Sequence, residues 1–166
     1  MKASFSQLLL LLALAFALTG WYAQTIRSQH KIRVTTKAAK PATKAGKVER
    51  LFKFFNRWQG SPYESGGLNR AGVDCSGLVI KAFRSKRLPR RAAQQARQGR
   101  AVSRAELKPG DLLFFATEEE RPELVSHVGI FLHKDNFFHA SSTRGVIMSN
   151  LGEPYYKKRF LFARRL

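Results

Sequence analysis

Apolar positions along this 166-residue chain fall into three regimes. From Leu8 to Leu18, eleven residues run without a polar interruption. Over residues 24–50 large apolar side chains almost vanish. From Leu51 onward they return with a period. Leu51, Phe54, Phe55 and Trp58 fall at i, i+3, i+4 and i+7, which predicts a helix with one buried face and with Lys53, Asn56 and Arg57 turned away from it. Gly60 and Pro62 supply the stop. Asp74 is a good N-cap, and Leu78, Val79, Ala82 and Phe83 then recur at helical spacing, so a second helix is expected from Cys75 to about Ser85. Pro89 opens a third, running through Arg97 and halted at Gly99. The pattern then turns to strands over 111–116, 125–133, 137–140, 145–149 and 160–164. Helices first and strands second predict an α+β fold, with an antiparallel sheet packed on the Cys75 helix. No internal repeat is visible.

The first two regimes read as delivery rather than fold. Lys2 precedes the apolar run, which is short for a membrane span and fits the h-region of a signal peptide. Ala15-Phe16-Ala17 offers a cleavage pattern, while Trp21 and Tyr22 also suit an uncleaved anchor. Residues 1–23 are therefore expected to be a signal peptide or N-terminal anchor, and the chain to be exported to the periplasm or envelope. No cysteine follows the apolar run, so lipoprotein processing is excluded. Residues 24–47 are expected to be a basic flexible linker, because they bury too little to offset ordering entropy. The remaining 48–166 have room for one core.

Charge sharpens this picture. The formal net charge is +19, with eight Lys/Arg and one Glu in residues 24–50. Residues 51–166 carry 21 Lys/Arg against 10 Asp/Glu, and nine of the basic residues lie between Lys81 and Arg104. Anionic envelope polymers are the natural partner for such a surface. Few aromatic residues interleave with that cluster, so no nucleic acid is expected. A monomer is expected.

Candidate chemistry centres on Cys75, the only cysteine. A lone cysteine is either buried and inert or a working thiol. At the first position of its helix, backbone N–H groups and the helix dipole favour a thiolate. The Asp74 carboxylate opposes this unless the same N–H groups hold it as a cap. His127 and His139, each on an expected strand, offer a base and a group to orient it. Singly, each histidine is better read as a satisfied core residue. If Val128, Ile130 and Leu132 share the core face, His127 lies on the other. The turn at Lys134-Asp135-Asn136 sits slightly late for His127 and His139 to face one another, so contact requires a bulge or wider loop. A three-ligand zinc site is the chemical rival, weakened by the absence of any short ligand pair. No metal or other cofactor is expected.

In order, the chain carries Gly60-Ser61-Pro62-Tyr63-Glu64-Ser65-Gly66-Gly67, Asp74-Cys75-Ser76-Gly77, Leu88-Pro89-Arg90, Leu107-Lys108-Pro109-Gly110-Asp111-Leu112-Leu113-Phe114-Phe115, His127-Val128-Gly129-Ile130 and His139-Ala140-Ser141. This series resembles the NlpC family of bacterial cell-wall cysteine peptidases, over about residues 48–166. The resemblance implies a compact papain-like fold and hydrolysis of amide bonds in peptidoglycan stem peptides or cross-links. It makes Cys75 the nucleophile, His127 the general base and His139 its orienting partner. Tyr63 and Ser76 become candidates for oxyanion stabilisation or substrate binding. One departure concerns the positions after Leu88-Pro89-Arg90. Relatives usually carry Thr, Ser or Asp followed by Ser there, a pair that in some recycling enzymes reads a free amine. Here Arg91 and Ala92 take those places, and a cation repels an ammonium. The alternative is a catalytically silent, polyanion-binding protein on a peptidase-like fold.

Overall fold

The computed structural model describes residues 44–84 and 86–166. The expected signal or anchor segment and residues 24–43 of the expected linker lie outside the described residues. Helix α1 (Lys44–Trp58) opens a turn ahead of the expected domain start at Val48. Its first turn is held from below: Lys47 lies directly over Gly110, where an added Cβ would stand 2.6 Å from Lys47 Cε. The stripe behaves as its spacing dictates, with Leu51, Phe55 and Trp58 buried, Phe54 half-buried, and Lys53, Asn56 and Arg57 exposed.

A short hairpin follows, β1 (Leu68–Asn69) with β2 (Gly72–Val73). It delivers the chain to α2 (Cys75–Ala82), and a four-residue α3 (Ala92–Gln95) packs beside it. Both helices are shorter than expected. The N–H of Phe83 bonds back to Val79 as α2 ends, and the Lys/Arg-rich stretch after it has no apolar face to bury.

The second half forms one six-stranded antiparallel sheet of β3 (Arg100–Val102), β4 (Leu112–Phe115), β5 (His127–His133), β6 (Asn136–Ser141), β7 (Gly145–Asn150) and β8 (Phe160–Arg165). Their order is β3-β8-β4-β5-β6-β7. Bidentate bonds from Arg165 to the fully buried Asp111, at 2.7 Å each, tie β8 to the residue before β4. The five expected strands are present within a residue or two. β3, the hairpin β1–β2 and helix α4 (Pro154–Arg159) were not expected.

Both faces of the sheet are covered. Against α1, α2 and α3 lie Leu112, Phe114, Val128, Ile130, Leu132, Phe138, Ala140 and Val146. The opposite face packs Leu113, Phe115, Phe131 and Phe137 with Leu151 and with Tyr156 of α4. That second layer explains why β4 and β5 show near-continuous burial instead of alternation. Among the described residues no helix is long and apolar enough to cross a membrane.

Candidate active site

Asp74 caps α2 from an extended conformation, and its Oδ1 accepts the Gly77 N–H at 2.7 Å. Oδ2 accepts the Gly66 N–H at 2.8 Å. Arg90 grips both oxygens, and its Nη1 and Nη2 also donate to Ser76 Oγ at 2.9 Å and to the Gly67 carbonyl at 3.3 Å. Burial alone would raise the Asp74 carboxyl, but Arg90 and the two N–H groups outweigh it and hold it below the usual range. The carboxylate beside the thiol is thus caged as a cap. Gly77 is obligatory here, since a Cβ would stand 2.4 Å from the Gly67 carbonyl oxygen.

Cys75 follows as the first residue of α2 and is 7% exposed. Burial pushes its thiol up to about 11, opposed by the backbone N–H of Val128. The N–H groups at the helix start do favour the thiolate, but desolvation of the charged form outweighs them in this enclosed setting. Burial thus favours the neutral thiol over the thiolate. Tyr63 is half-buried and bridges Val73. Burial first, then the neighbouring Cys75 and Asp74, raise its hydroxyl, which stays protonated and able to donate. Ser76 is buried, and its hydroxyl is committed to Asp74 at 3.1 Å and to Arg90.

His127 and His139 meet. His127 Nε2 and His139 Nδ1 lie 2.8 Å apart, with the rings nearly perpendicular at 88°. The route to this contact is a matter of register. A two-residue turn, with Lys134 and Asp135 both at positive φ, joins β5 to β6. His133 pairs with Asn136, yet Phe131 pairs with Phe137, so β5 spends an extra residue at Leu132. Without this bulge, His139 would fall opposite Ile130 and on the helix-side face. With it, the register continues to Gly129 opposite His139, and His127 reaches His139 diagonally on the same face. Gly129 leaves the space: a Cβ there would lie 2.6 Å from Phe137 Cδ2 and 3.5 Å from His139 Cβ.

The chain of contacts continues to two residues that sequence reasoning missed. His139 Nε2 lies 3.0 Å from Tyr156 Oη and 3.2 Å from Ser149 Oγ, and Ser149 Oγ lies 3.3 Å from Tyr156 Oη. Pro154, a helix-first proline, was the available signal for the short helix that carries Tyr156. Burial lowers His127 to about 4. Burial, then the charges of His127 and Arg144, lower His139 well below its ordinary value. Cys75 and His127 make no hydrogen bond to each other; Cys75 is linked to β5 through Val128, the residue after His127. His127 Nδ1 has no hydrogen-bond partner among the described residues. There, too, no group of three or more His, Cys, Asp or Glu is placed to hold a metal ion.

The profile of the NlpC/P60 family matches residues 60–165. The chain is 45% identical over 112 residues to "Probable endopeptidase NlpC" of Escherichia coli K12, covering 66% of this chain and 71% of that protein. It is 40% identical over 120 residues to "Murein DD-endopeptidase MepS/Murein LD-carboxypeptidase" of the same organism, covering 70% of this chain and 62% of that one. Among solved structures, an NlpC/P60 protein from Bacillus cereus shares the fold with a TM-score of 0.65 at 31% identity, over 71% of this chain but only 39% of its own length. These solved relatives make the fold the compact papain-like one. Motif order, profile and fold agree, and the chain belongs to the NlpC/P60 family.

Proposed function

We propose that this chain is a peptidoglycan endopeptidase that cleaves amide bonds of stem peptides or their cross-links through a thioester on Cys75. The observation that carries the reading is the buried His127–His139 pair, with the helix-first Cys75 bonded to the backbone of the next residue, Val128, in a chain whose relatives are named endopeptidases.

The proton positions follow from the role of His127 as base. For His127 Nδ1 to accept the thiol proton, its Nε2 must carry hydrogen and donate to His139 Nδ1. His139 then carries its hydrogen on Nε2 and donates to Ser149 or Tyr156. Thiol and imidazole both begin neutral, so proton transfer accompanies attack on the carbonyl. Cys75 Sγ bonds to the carbonyl carbon, and His127 takes the thiol proton. The C–N bond then breaks as His127 returns that proton to the leaving amine. Water, deprotonated by His127, bonds to the thioester carbon, and the C–S bond breaks as that proton passes to the Cys75 sulfur. Backbone N–H groups at the start of α2 and the protonated Tyr63 hydroxyl, close enough to Cys75 to feel its charge, are the donors this reading assigns to the developing oxyanion, a contribution of roughly 3 kcal/mol per well-placed donor.

Export and attraction to anionic polymer complete the proposal. The basic residues between Lys81 and Arg104, with those of residues 24–43, concentrate the enzyme at the envelope. Incubating the full chain with defined muropeptides and mass-analysing the products tests the reading. Cleavage at an amide of the stem or cross-link, lost in Cys75→Ala, is expected. Retained salt-sensitive binding to wall without any thiol-dependent cleavage would favour the silent binder instead.

A further inference from the structure

A cleft of about 310 Å³ opens beside the two histidines. His127, His139, Thr117, Thr143, Arg144 and Glu153 line it, whereas Cys75 does not. In a thioester reaction the acyl half stays on the cysteine, and the amine half departs with a proton from the base. A cleft that touches the base and not the nucleophile therefore receives the leaving-group half of the substrate.

Among the described residues that line the cleft, Arg144 is the one Lys or Arg. Arg144 lies in the turn between β6 and β7, and it makes no ion pair or hydrogen bond with a described residue. The other arginines near the site are spent: Arg90 on Asp74, Arg159 on Glu119 and the Tyr155 ring. Glu153, the one carboxylate among the described lining residues, already accepts the Asn150 N–H at 2.7 Å. The root of the turn is fixed. Val146 N–H donates to the Ser61 carbonyl and Gly60 N–H to the Val146 carbonyl, each at 2.9 Å. Gly145, at φ +68°, presses against Ser61 so closely that a Cβ would stand 2.3 Å from its carbonyl oxygen. Arg144 is thus an unspent guanidinium on an anchored turn, facing the space where the leaving group must sit.

The geometry points to Arg144 as a specificity residue that binds a free carboxylate adjacent to the departing amine. The inference rests on the endopeptidase reading above and narrows it. A guanidinium pairs with carboxylate through two parallel N–H···O bonds, which an amide in the same place does not reproduce. In a stem-peptide cross-link from D-alanine to the D-centre of diaminopimelate, the nitrogen released sits beside a free carboxylate. In the bond from D-glutamate to the L-centre of diaminopimelate, the neighbouring carboxyl is tied up in the next amide. Arg144 therefore selects the cross-link, and more generally bonds to an amino acid whose own α-carboxyl is unblocked.

The test uses two disaccharide-tetrapeptide dimers that differ only at the carboxyl group beside the scissile nitrogen, free in one and carboxamide in the other. Wild-type enzyme should prefer the free carboxylate by about tenfold in kcat/KM, mainly through KM. Arg144→Ala should bring the ratio close to one, and Arg144→Glu should invert it, with unchanged melting curves because the side chain is exposed. An equal preference in wild type and Arg144→Ala overturns the inference. Cleavage confined to the D-glutamyl–diaminopimelate bond overturns it while leaving the endopeptidase reading intact. Cleavage of no peptidoglycan bond removes both.

Discussion

Replacing Gly129 by alanine should damage the site without touching a reacting atom. The new Cβ would lie 2.6 Å from Phe137 Cδ2 and 3.1 Å from Cε2. Ordinary carbon contacts are about 3.5–4.0 Å, so the ring must retreat by roughly 1 Å. It has nowhere to go: Phe137 is fully buried, with Phe115 stacked at 5.2 Å, Tyr156 edge-on at 5.0 Å and His139 stacked at 5.2 Å. Overpacking of this kind costs about 1–3 kcal/mol, against about 0.4–1 kcal/mol gained by stiffening the unfolded chain, so strain wins. For a domain of this size that is a fall in Tm on the order of 3–10 °C. The strain presses on His139, and a shift of about 1 Å breaks a 2.8 Å hydrogen bond. Misplacement on that scale costs about a hundredfold in turnover. Thermal unfolding followed by circular dichroism and kcat on a defined muropeptide read the two effects. Adding Phe137→Leu should return part of both losses, because the two substitutions compete for one space. A Gly129→Ala enzyme with Tm within 1 °C and kcat within twofold of wild type, about the resolution of such assays, would refute the reasoning.

Four further outcomes are expected. Cys75→Ala should abolish muropeptide cleavage and leave the melting curve in place, as judged by product analysis and calorimetry. His127→Ala should be nearly inactive, while His139→Gln and Tyr156→Phe retain partial kcat, since both act on the base through its orientation; equal, full activity in all three would remove the relay. Stability should fall as pH drops from 6.5 to 4, because the unfolded chain binds a proton that buried His127, at about 4, does not, a loss of up to about 3 kcal/mol. His139 adds to it in the same direction, and urea titrations should find the slope reduced in His127→Gln. Binding to purified wall should weaken steeply with salt, given a screening length of about 8 Å at physiological ionic strength, and further on deletion of residues 24–43; small-substrate turnover should hardly change.

Much of the fold was legible because its signals are local. The Leu51–Trp58 stripe, the Asp74 cap and the apolar runs of β4 to β8 each announce an element within a few residues. The candidate residues Cys75, His127 and His139 were legible through motif order. What the sequence concealed is non-local. Helix α4 has six residues and no apolar stripe, so the one side chain that matters, Tyr156, carries no periodic signature. Ser149 looks like any strand serine until β7 lies beside β6. Arg90 was visible as part of a motif, but its grip on Asp74 spans sixteen residues. The thiol's direction of shift depends on how completely β5 and α2 enclose it, which composition does not encode.

The extra residue at Leu132 makes the β5–β6 hairpin a device of parity rather than of distance. Removing it would not move His139 by a fraction of an ångström; it would send the imidazole through the sheet to the side of α1 and α2, and bring Ala140 into its place. Small deletions in this hairpin therefore act as inversions, all or none, while hydrophobic content and strand propensity scarcely change. The same logic defines what is portable. Two histidines copied onto another sheet at matching separation do not carry the base with them. The transferable unit is the whole segment from His127 to Ser141, with its two-residue turn, its bulge and the bare Cα of Gly129.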